Sequence, residues 1–338
     1  MFNFSKRIGI DLGTANSLVY LAGEGIVLNE PTVVAVSTDD NKILAVGNEA
    51  KEMLGRTPGN ITASRPMKDG VIADYVVTEG LIAYFLDRVA GRNRLFKPEV
   101  MVCAPAGVTS VEKRAILDAT LQAGAKSAYL IDEPLAAAIG AKIPIANPSG
   151  NMIVDIGGGT TEAAVICLGG VIVHNSVRVG GNKLDESIQV YVRKKYNLVI
   201  GDRMAEDIKI KIGSATPLKQ SENMVMEVRG RDAFTGLPRT IELSSNEITE
   251  AISEISQKIL AAVKGVLEQV PPELASDIID KGIVMSGGTS CLRNLDKLLT
   301  DNLGVPCALA ENPLLCVALG TGIALENLDL YKRSVSKR

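Results

Sequence analysis

The chain has 338 residues, enough for two α/β domains that each bury their own core. Hydrophobic residues make up 46% and charged residues 22%, with a formal net charge of −3. This is the composition of a globular protein, not a disordered chain, and it gives no reason to expect a nucleic-acid partner. No uninterrupted apolar run, including that at residues 135–139, comes near the roughly 20 residues of a spanning helix. Phe2-Asn3-Phe4-Ser5-Lys6-Arg7 leads straight into the first strand, without a secretory signal. The five cysteines (Cys103, Cys167, Cys291, Cys307, Cys316) form no CxxC pair and read as reduced core residues of a cytoplasmic protein. His174 is the only histidine, which excludes a paired-histidine zinc site and fits a structural or surface residue.

In chain order, residues 7–46 read as strands. Ile8, Ile10 and Leu12 alternate; segments 17–21, 25–28, 32–36 and 42–46 follow, with Asp39-Asp40-Asn41 as a turn. Residues 47–75 mix short helix and loop and fit a small insert on a first lobe. Helical spacing resumes over 76–90 through Val77, Leu81, Phe85 and Val89. Between 88 and 97, Arg88, Arg92, Arg94 and Lys97 surround Leu95-Phe96. Either this is a solvated loop, or it is a basic, apolar-tipped loop that dips into an anionic membrane surface. Phe2 and Phe4 beside Lys6 and Arg7 repeat the pattern, as do Lys332, Arg333, Lys337 and Arg338 more weakly.

Ser110 opens a helix over 110–123, and strand 129–132 then runs into Asp132 and Glu133. Pro134 starts the next helix, at 135–141. Glu133 therefore sits at a strand end and helix start, where active-site groups of α/β folds gather. The plain alternative is an acid that complements the helix dipole.

After a linker at 147–150, Ile153-Val154-Asp155-Ile156-Gly157-Gly158-Gly159-Thr160-Thr161-Glu162 reads as a buried strand, a glycine turn and a return strand. Bare amides beside a strand-end acid suit a divalent cation held next to phosphate, although a tight hairpin alone would also use these glycines. The motif has an earlier counterpart. In Ile8–Tyr20 Asp11 aligns with Asp155 and Gly13 with Gly157, an offset of 144 (155 − 11), with Leu18-Val19 near Ala164-Val165. Val100-Met101-Val102-Cys103-Ala104-Pro105 resembles Ile283-Val284-Met285-Ser286-Gly287-Gly288. Pro134-Leu135-Ala136-Ala137-Ala138-Ile139-Gly140 resembles Pro313–Gly320, at an offset of 179 (313 − 134) with one residue inserted before the glycine. The order of these features predicts two α/β lobes facing each other across a nucleotide.

Farther on, strand 171–179 ends in Gly180-Gly181, and helices at 183–196 and 203–213 follow. Glu206 and Lys209 share a helix face at i and i+3. Segments 224–228 and 240–243 form a hairpin. The helix at 245–270 carries a capping box at Ser244 and Glu247, and Pro271-Pro272 stops it. Strand 283–285 then enters a second glycine turn at Ser286-Gly287-Gly288-Thr289.

These residues resemble the actin-like ATPase superfamily, and more closely the MreB/Mbl family of bacterial actins. The resemblance rests on Asp11–Asn16, Leu28-Asn29-Glu30-Pro31, Leu54–Gly59, Arg65–Asp74, Ile131–Pro134, Val154–Glu162, Val177–Gly181 and 271–282, and it covers residues 8 to about 326. It implies an α/β, actin-like fold with two duplicated ribonuclease-H-like lobes around a central nucleotide cleft. The first lobe would span 1–146 with an inserted subdomain at about 33–74. The second would span 147–312 with an insert at about 182–244, and 313–338 would return to the first.

The resemblance further implies slow ATP hydrolysis with Mg²⁺, GTP remaining open as the nucleotide. Asp11 and Asp155 would hold the metal through its waters. Amides of Gly13, Thr14, Ala15, Asn16, Gly157, Gly158, Gly159 and Thr160 would cradle the phosphates, with Gly180 and Gly181 beside them. Glu206, Lys209, Gly287 and Gly288 would meet the nucleoside. Glu133 would orient the attacking water and Thr161 would be a second anchor. The implied partners are further copies of the chain in paired protofilaments, the inner face of the cytoplasmic membrane through Phe2, Phe4, Leu95 and Phe96, and membrane proteins of cell-wall synthesis and cell shape.

Two positions depart from the family pattern: Asn182 stands for its usual Asp, and Thr289 for the third glycine of the late turn. The N-terminus also lacks the long amphipathic helix of some members. A sugar kinase or a chaperone of the same superfamily is the alternative. The first would need a small-molecule pocket with its own base, the second a peptide-binding domain after the ATPase lobes.

Overall fold

The structure, a computed structural model, describes residues 5–91 and 96–338. Two sheets organise it. The first runs in the order Val335–Lys337, Ser127–Asp132, Glu99–Ala104, Arg7–Leu12, Asn16–Leu21, Gly25–Pro31, and the second in the order Gly170–Val177, Thr161–Cys167, Asn151–Ile156, Ile283–Ser286, Cys307–Leu309. Both follow one plan. Three strands form an antiparallel meander, and two more join in parallel beside the first strand of that meander. Asn151–Ile156 is buried at all six positions and Arg7–Leu12 at five, as expected of central strands covered on both faces.

The duplication extends to register. Leu12 pairs with Ser17 and Ile156 with Thr161, so each hairpin carries a four-residue turn, at 13–16 and at 157–160. Asp11 lies opposite Leu18 and Asp155 opposite Glu162, so the structural counterpart of Leu18 is Glu162. The expected match to Ala164 was two residues too far along, because the apolar return strand offers no internal marker of register.

The counterpart helices Glu133–Gly140 and Cys316–Glu326 cross on each other. A Cβ on Gly140 would overlap the Cys316 carbonyl, and one on Gly320 would overlap the Ala136 carbonyl. The glycines sit at equivalent places, each four residues after the position its partner touches. They allow backbone-to-backbone contact that any side chain would block. This crossing anchors a third core of Met101, Ile131, Leu135, Ile153 and Val317 between the two lobe cores.

Each lobe carries an addition at the same edge of the cleft. In the first, the sheet Ile43–Val46, Val34–Ser37, Ile61–Ser64 packs with helix Asn48–Met53 around Val33, Ala35 and Ala50. In the second, helices Gly181–Tyr196 and Asp202–Ile212 accompany the sheet Leu198–Val199, Val225–Asp232, Pro238–Ser244. The final strand Val335–Lys337 pairs with Ser127–Asp132.

Most elements fall where the sequence placed them, with three differences. Helix Ser110–Gln122 is capped by Thr109, whose backbone amide donates to Glu112 Oε2 at 2.7 Å. The long helix ends at Leu267, and Pro272 opens a separate helix, Pro272–Lys281. The late glycine turn enters a 3-10 turn at Gly288–Cys291, and the α-helix begins only at Leu295.

Candidate functional site

A cavity of about 340 Å³ opens between the lobes. Its floor is acidic. Asp11 and Asp155 each precede the last residue of their strands, Arg7–Leu12 and Asn151–Ile156, and Glu133 starts its helix; all three line the cavity. Ser286 donates to Asp155 Oδ1 at 2.6 Å, and the Cys103 thiol donates to Asp11 Oδ1 at 3.4 Å. Burial pushes the Asp155 carboxyl up to about 6 against the Ser286 hydrogen bond. Burial, then the charge of Asp155, pushes Asp11 up to about 7. Glu133 is raised well above the carboxylate range, by burial first and then by Asp155, Glu162 and Asp11. Buried acids that crowd one another in this way call for a cation. Glu133 Oε2 is sealed from solvent and accepts no hydrogen bond, the state of an acceptor awaiting a donor from the cavity.

The two glycine turns meet above this floor. A Cβ on Gly158 would lie 2.7 Å from that of Ala15, and one on Gly159 would lie 2.5 Å from Thr14 Oγ1, so only glycine permits the approach. The first turn is braced from below, with Thr32 donating to Gly13 O at 2.6 Å and to Ala15 O at 2.9 Å. The second is braced by the helix that follows, with Gly181 N on Gly157 O at 3.0 Å and Asn182 N on Gly158 O at 2.8 Å. Within that turn the Gly157 amide is occupied by Thr160 O at 2.9 Å.

Gly13, Thr14, Ala15, Asn16, Gly157, Gly158, Gly159, Thr160, Gly181, Glu206, Lys209, Gly287 and Gly288 all line the cavity. Gly180 and Thr161 do not. Gly180 packs its backbone against Gly157 and Gly158. Thr161 is fully buried and donates its hydroxyl to Val179 O at 2.8 Å, which ties the return strand to the strand beside it. The hydroxyl at the cavity wall belongs to Thr160.

Several lining residues escaped sequence reading. Cys103 reaches the floor because its strand runs parallel to Arg7–Leu12; it is a site residue, not plain core. Cys291 is exposed, not core. Lys51 lies on the opposite wall from Glu206 and pairs with it at 2.9 Å. Lys209 pairs with Asp185 at 2.9 Å and donates to Gly181 O at 3.1 Å. Thr289 also lines the cavity, and its hydroxyl donates to Gly157 O at 2.8 Å, so its β-branched side chain braces the second hairpin. Asn182 accepts from Arg65 Nη1 at 3.3 Å. Glu162 lies outside the cavity, fully buried. It accepts from the Ser176 hydroxyl and, across the lobe boundary, from the Ala106 amide at 3.1 Å.

Of the four apolar residues assigned to a membrane surface, Phe2, Phe4 and Leu95 lie outside the described residues. Phe96 is described and is 53% exposed. Lys6 Nζ donates to Val89 O at 2.9 Å and Lys6 O accepts from Glu99 N at 2.9 Å, so the chain near residue 6 adjoins both ends of the 90–98 loop. No described helix is long and apolar enough to cross a membrane.

Among the described residues no group of three or more His, Cys, Asp or Glu side chains could hold a metal by itself. The donor set fits a hard cation that keeps most of its waters and shares phosphate oxygens: two carboxylates, no soft ligand beyond a protonated thiol, and glycine turns alongside.

Two duplicated lobes with paired hairpins around an acidic cleft define an actin-like protein. A structure of MreB 5 of Spiroplasma citri bound to AMPPNP superimposes with a TM-score of 0.92 at 37% identity, covering 98% of this chain and 99% of that one. The ADP-bound structure of the same protein gives 0.90 at 38% identity, covering 96% and 99%. The MamK double helical filament, at 22% identity and a TM-score of 0.79 with coverage of 95% and 99%, shares the fold. The chain belongs to the MreB/Mbl family, whose model matches residues 5–333. It is 52% identical over 333 residues to the cell shape-determining protein Mbl of Bacillus cereus, covering 98% of this chain and 99% of that protein. To the cell shape-determining protein MreB of Escherichia coli it is 53% identical over 333 residues, covering 97% and 95%.

Proposed function

We propose that the chain is a bacterial actin that hydrolyses ATP slowly in the inter-lobe cleft, assembles into filaments, and helps to set cell shape from the inner face of the cell membrane. The observation that carries the reading is the cleft itself: two glycine hairpins in contact above Asp11, Asp155 and Glu133. Asp11 and Asp155 would hold Mg²⁺, which when bound with ATP offsets phosphate charge. The turn amides orient the phosphates, and Gly287, Gly288 and the Leu314 and Val317 side chains offer an apolar, close-approach wall to the base. Glu133 Oε2, buried and unpartnered, accepts a hydrogen bond from the attacking water. Positioning of that water is its main task in a phosphoryl transfer. The role in cell shape is extended to this chain from its cell shape-determining relatives and assembly from the MamK filament that shares its fold, while membrane attachment rests on the basic, apolar-tipped segments around Phe2, Phe4, Leu95 and Phe96.

Glu133→Ala tests the assignment. Nucleotide affinity should stay near that of the unmodified protein while phosphate release falls by roughly 10²-fold or more. Equal loss of affinity and turnover would make Glu133 a structural residue.

A further inference from the structure

Lys51 and Glu206 are 155 positions apart and meet at 2.9 Å, each lining the cavity from its own wall. Each is fixed to its lobe. The helix bearing Lys51 is held at its start by Glu30 of the first sheet, whose Oε2 accepts from Asn48 N at 3.1 Å and from Asn48 Nδ2 at 3.0 Å. The helix bearing Glu206 is held by Lys209, which bonds Asp185 Oδ2 at 2.9 Å and Gly181 O at 3.1 Å on the neighbouring helix. A second bridge, Arg65 to Asn182 at 3.3 Å, runs alongside between the same two additions.

We propose that the Lys51–Glu206 pair is a clasp across the cleft that sets how long a nucleotide stays bound. The lobes cannot part at this edge without breaking it, because neither helix can follow the other. The charges around it agree. Burial alone would raise the Glu206 pKa, but the Lys51 hydrogen bond, the Lys51 charge, Lys209 and Arg65 outweigh it and lower it, so the acid is ionised whenever the cleft is closed near neutral pH. The side chains remain 32% and 30% exposed, so the clasp is weak enough to open thermally and is sensitive to salt. The Arg65 bridge ends on the neutral amide of Asn182, which leaves Lys51–Glu206 as the charged crossing of this pair of bridges.

The proposal rests on the nucleotide reading above, so its test has one arm with nucleotide and one without. Full-length protein, kept below its assembly concentration, is loaded with a fluorescent ADP analogue and chased with unlabelled ATP. Lys51→Glu and Glu206→Lys should each release the analogue about three- to ten-fold faster. The double exchange K51E/E206K should release the analogue more slowly than the product of the two single effects, because it restores the pair even though the nucleoside loses Glu206. In nucleotide-free protein, amide exchange over residues 48–53 and 202–212 should rise in each single variant and fall again in the double. Unchanged release and exchange in K51E would overturn the clasp. So would strictly multiplicative effects of K51E and E206K in the double variant together with amide exchange that the double fails to lower, because the two side chains would then act independently. If no nucleotide binds at all, the exchange arm still decides the clasp while the functional reading fails on its own.

Discussion

At the residue scale the site sets stability against function. The buried acids Asp11 and Asp155 lie near one another with no lysine or arginine among their charge partners. Because the Asp11 pKa is raised in the folded state, stability falls as pH rises from about 4 towards about 7, and the full penalty persists above. Asp11→Asn should therefore raise the melting temperature of nucleotide-free protein by a few degrees at pH 8 and by little at pH 4.5, as read by calorimetry. The same variant should weaken Mg²⁺-dependent nucleotide binding. A variant that melts lower at pH 8 would mean that the carboxylate is satisfied without a cation. Asp11, Asp155 and the glycine turns were legible in the sequence because strand, acid and glycine form a local pattern repeated in both halves. Lys51 and Cys103 were not, since each reaches the cavity through tertiary placement and neither stands in a motif that marks it. Thr161 misled for the opposite reason. It lies beside Thr160 in the motif, but strand alternation turns neighbouring side chains to opposite faces, and its hydroxyl closes onto Val179 O.

At the element scale the crossing of Glu133–Gly140 with Cys316–Glu326 positions Glu133, because Glu133 is the first residue of one of the crossing helices. Gly320→Ala would place a methyl group into the Ala136 carbonyl. The helices must separate, at a cost of about 3 kcal/mol, the upper end for overpacking, and phosphate release should fall with it. Gly59→Ala, where an added Cβ meets nothing within 4 Å, is the control and should unfold within about 0.5 kcal/mol of the unmodified protein. Urea denaturation of both reads the difference; equal midpoints would mean that the crossing yields easily. The sequence displayed this symmetry as two similar Pro-to-Gly segments, and the structure shows why both end in glycine. Strand and helix spans were legible from periodicity and caps such as Ser244 with Glu247. Sheet order was not, because parallel neighbours such as Arg7–Leu12 and Glu99–Ala104 are joined by about 85 residues that carry no pairing signal.

At the scale of the whole molecule, the duplicated lobes enclose one cleft, and Lys6 contacts Val89 and Glu99 on either side of residues 90–98. On the proposed membrane reading, a few apolar tips per monomer, each adding about 2–3 kcal/mol when fully buried, would give reversible lipid binding, with nearby basic residues adding roughly 1 kcal/mol each on anionic lipid. A filament would multiply that binding through avidity. Replacement of Phe2, Phe4, Leu95 and Phe96 by Ser should abolish co-sedimentation with anionic vesicles and spare assembly; continued vesicle binding would place the contact elsewhere.

The central claim, that this cleft hydrolyses ATP as part of filament assembly, is tested most directly by phosphate release measured against protein concentration in Mg-ATP, with the pellet weighed in the same samples. The expected curve is flat up to a critical concentration and then rises in step with the pelleted fraction. Release that rises in proportion to protein from zero, with nothing pelleting, or a pellet that forms with no phosphate released, would contradict it.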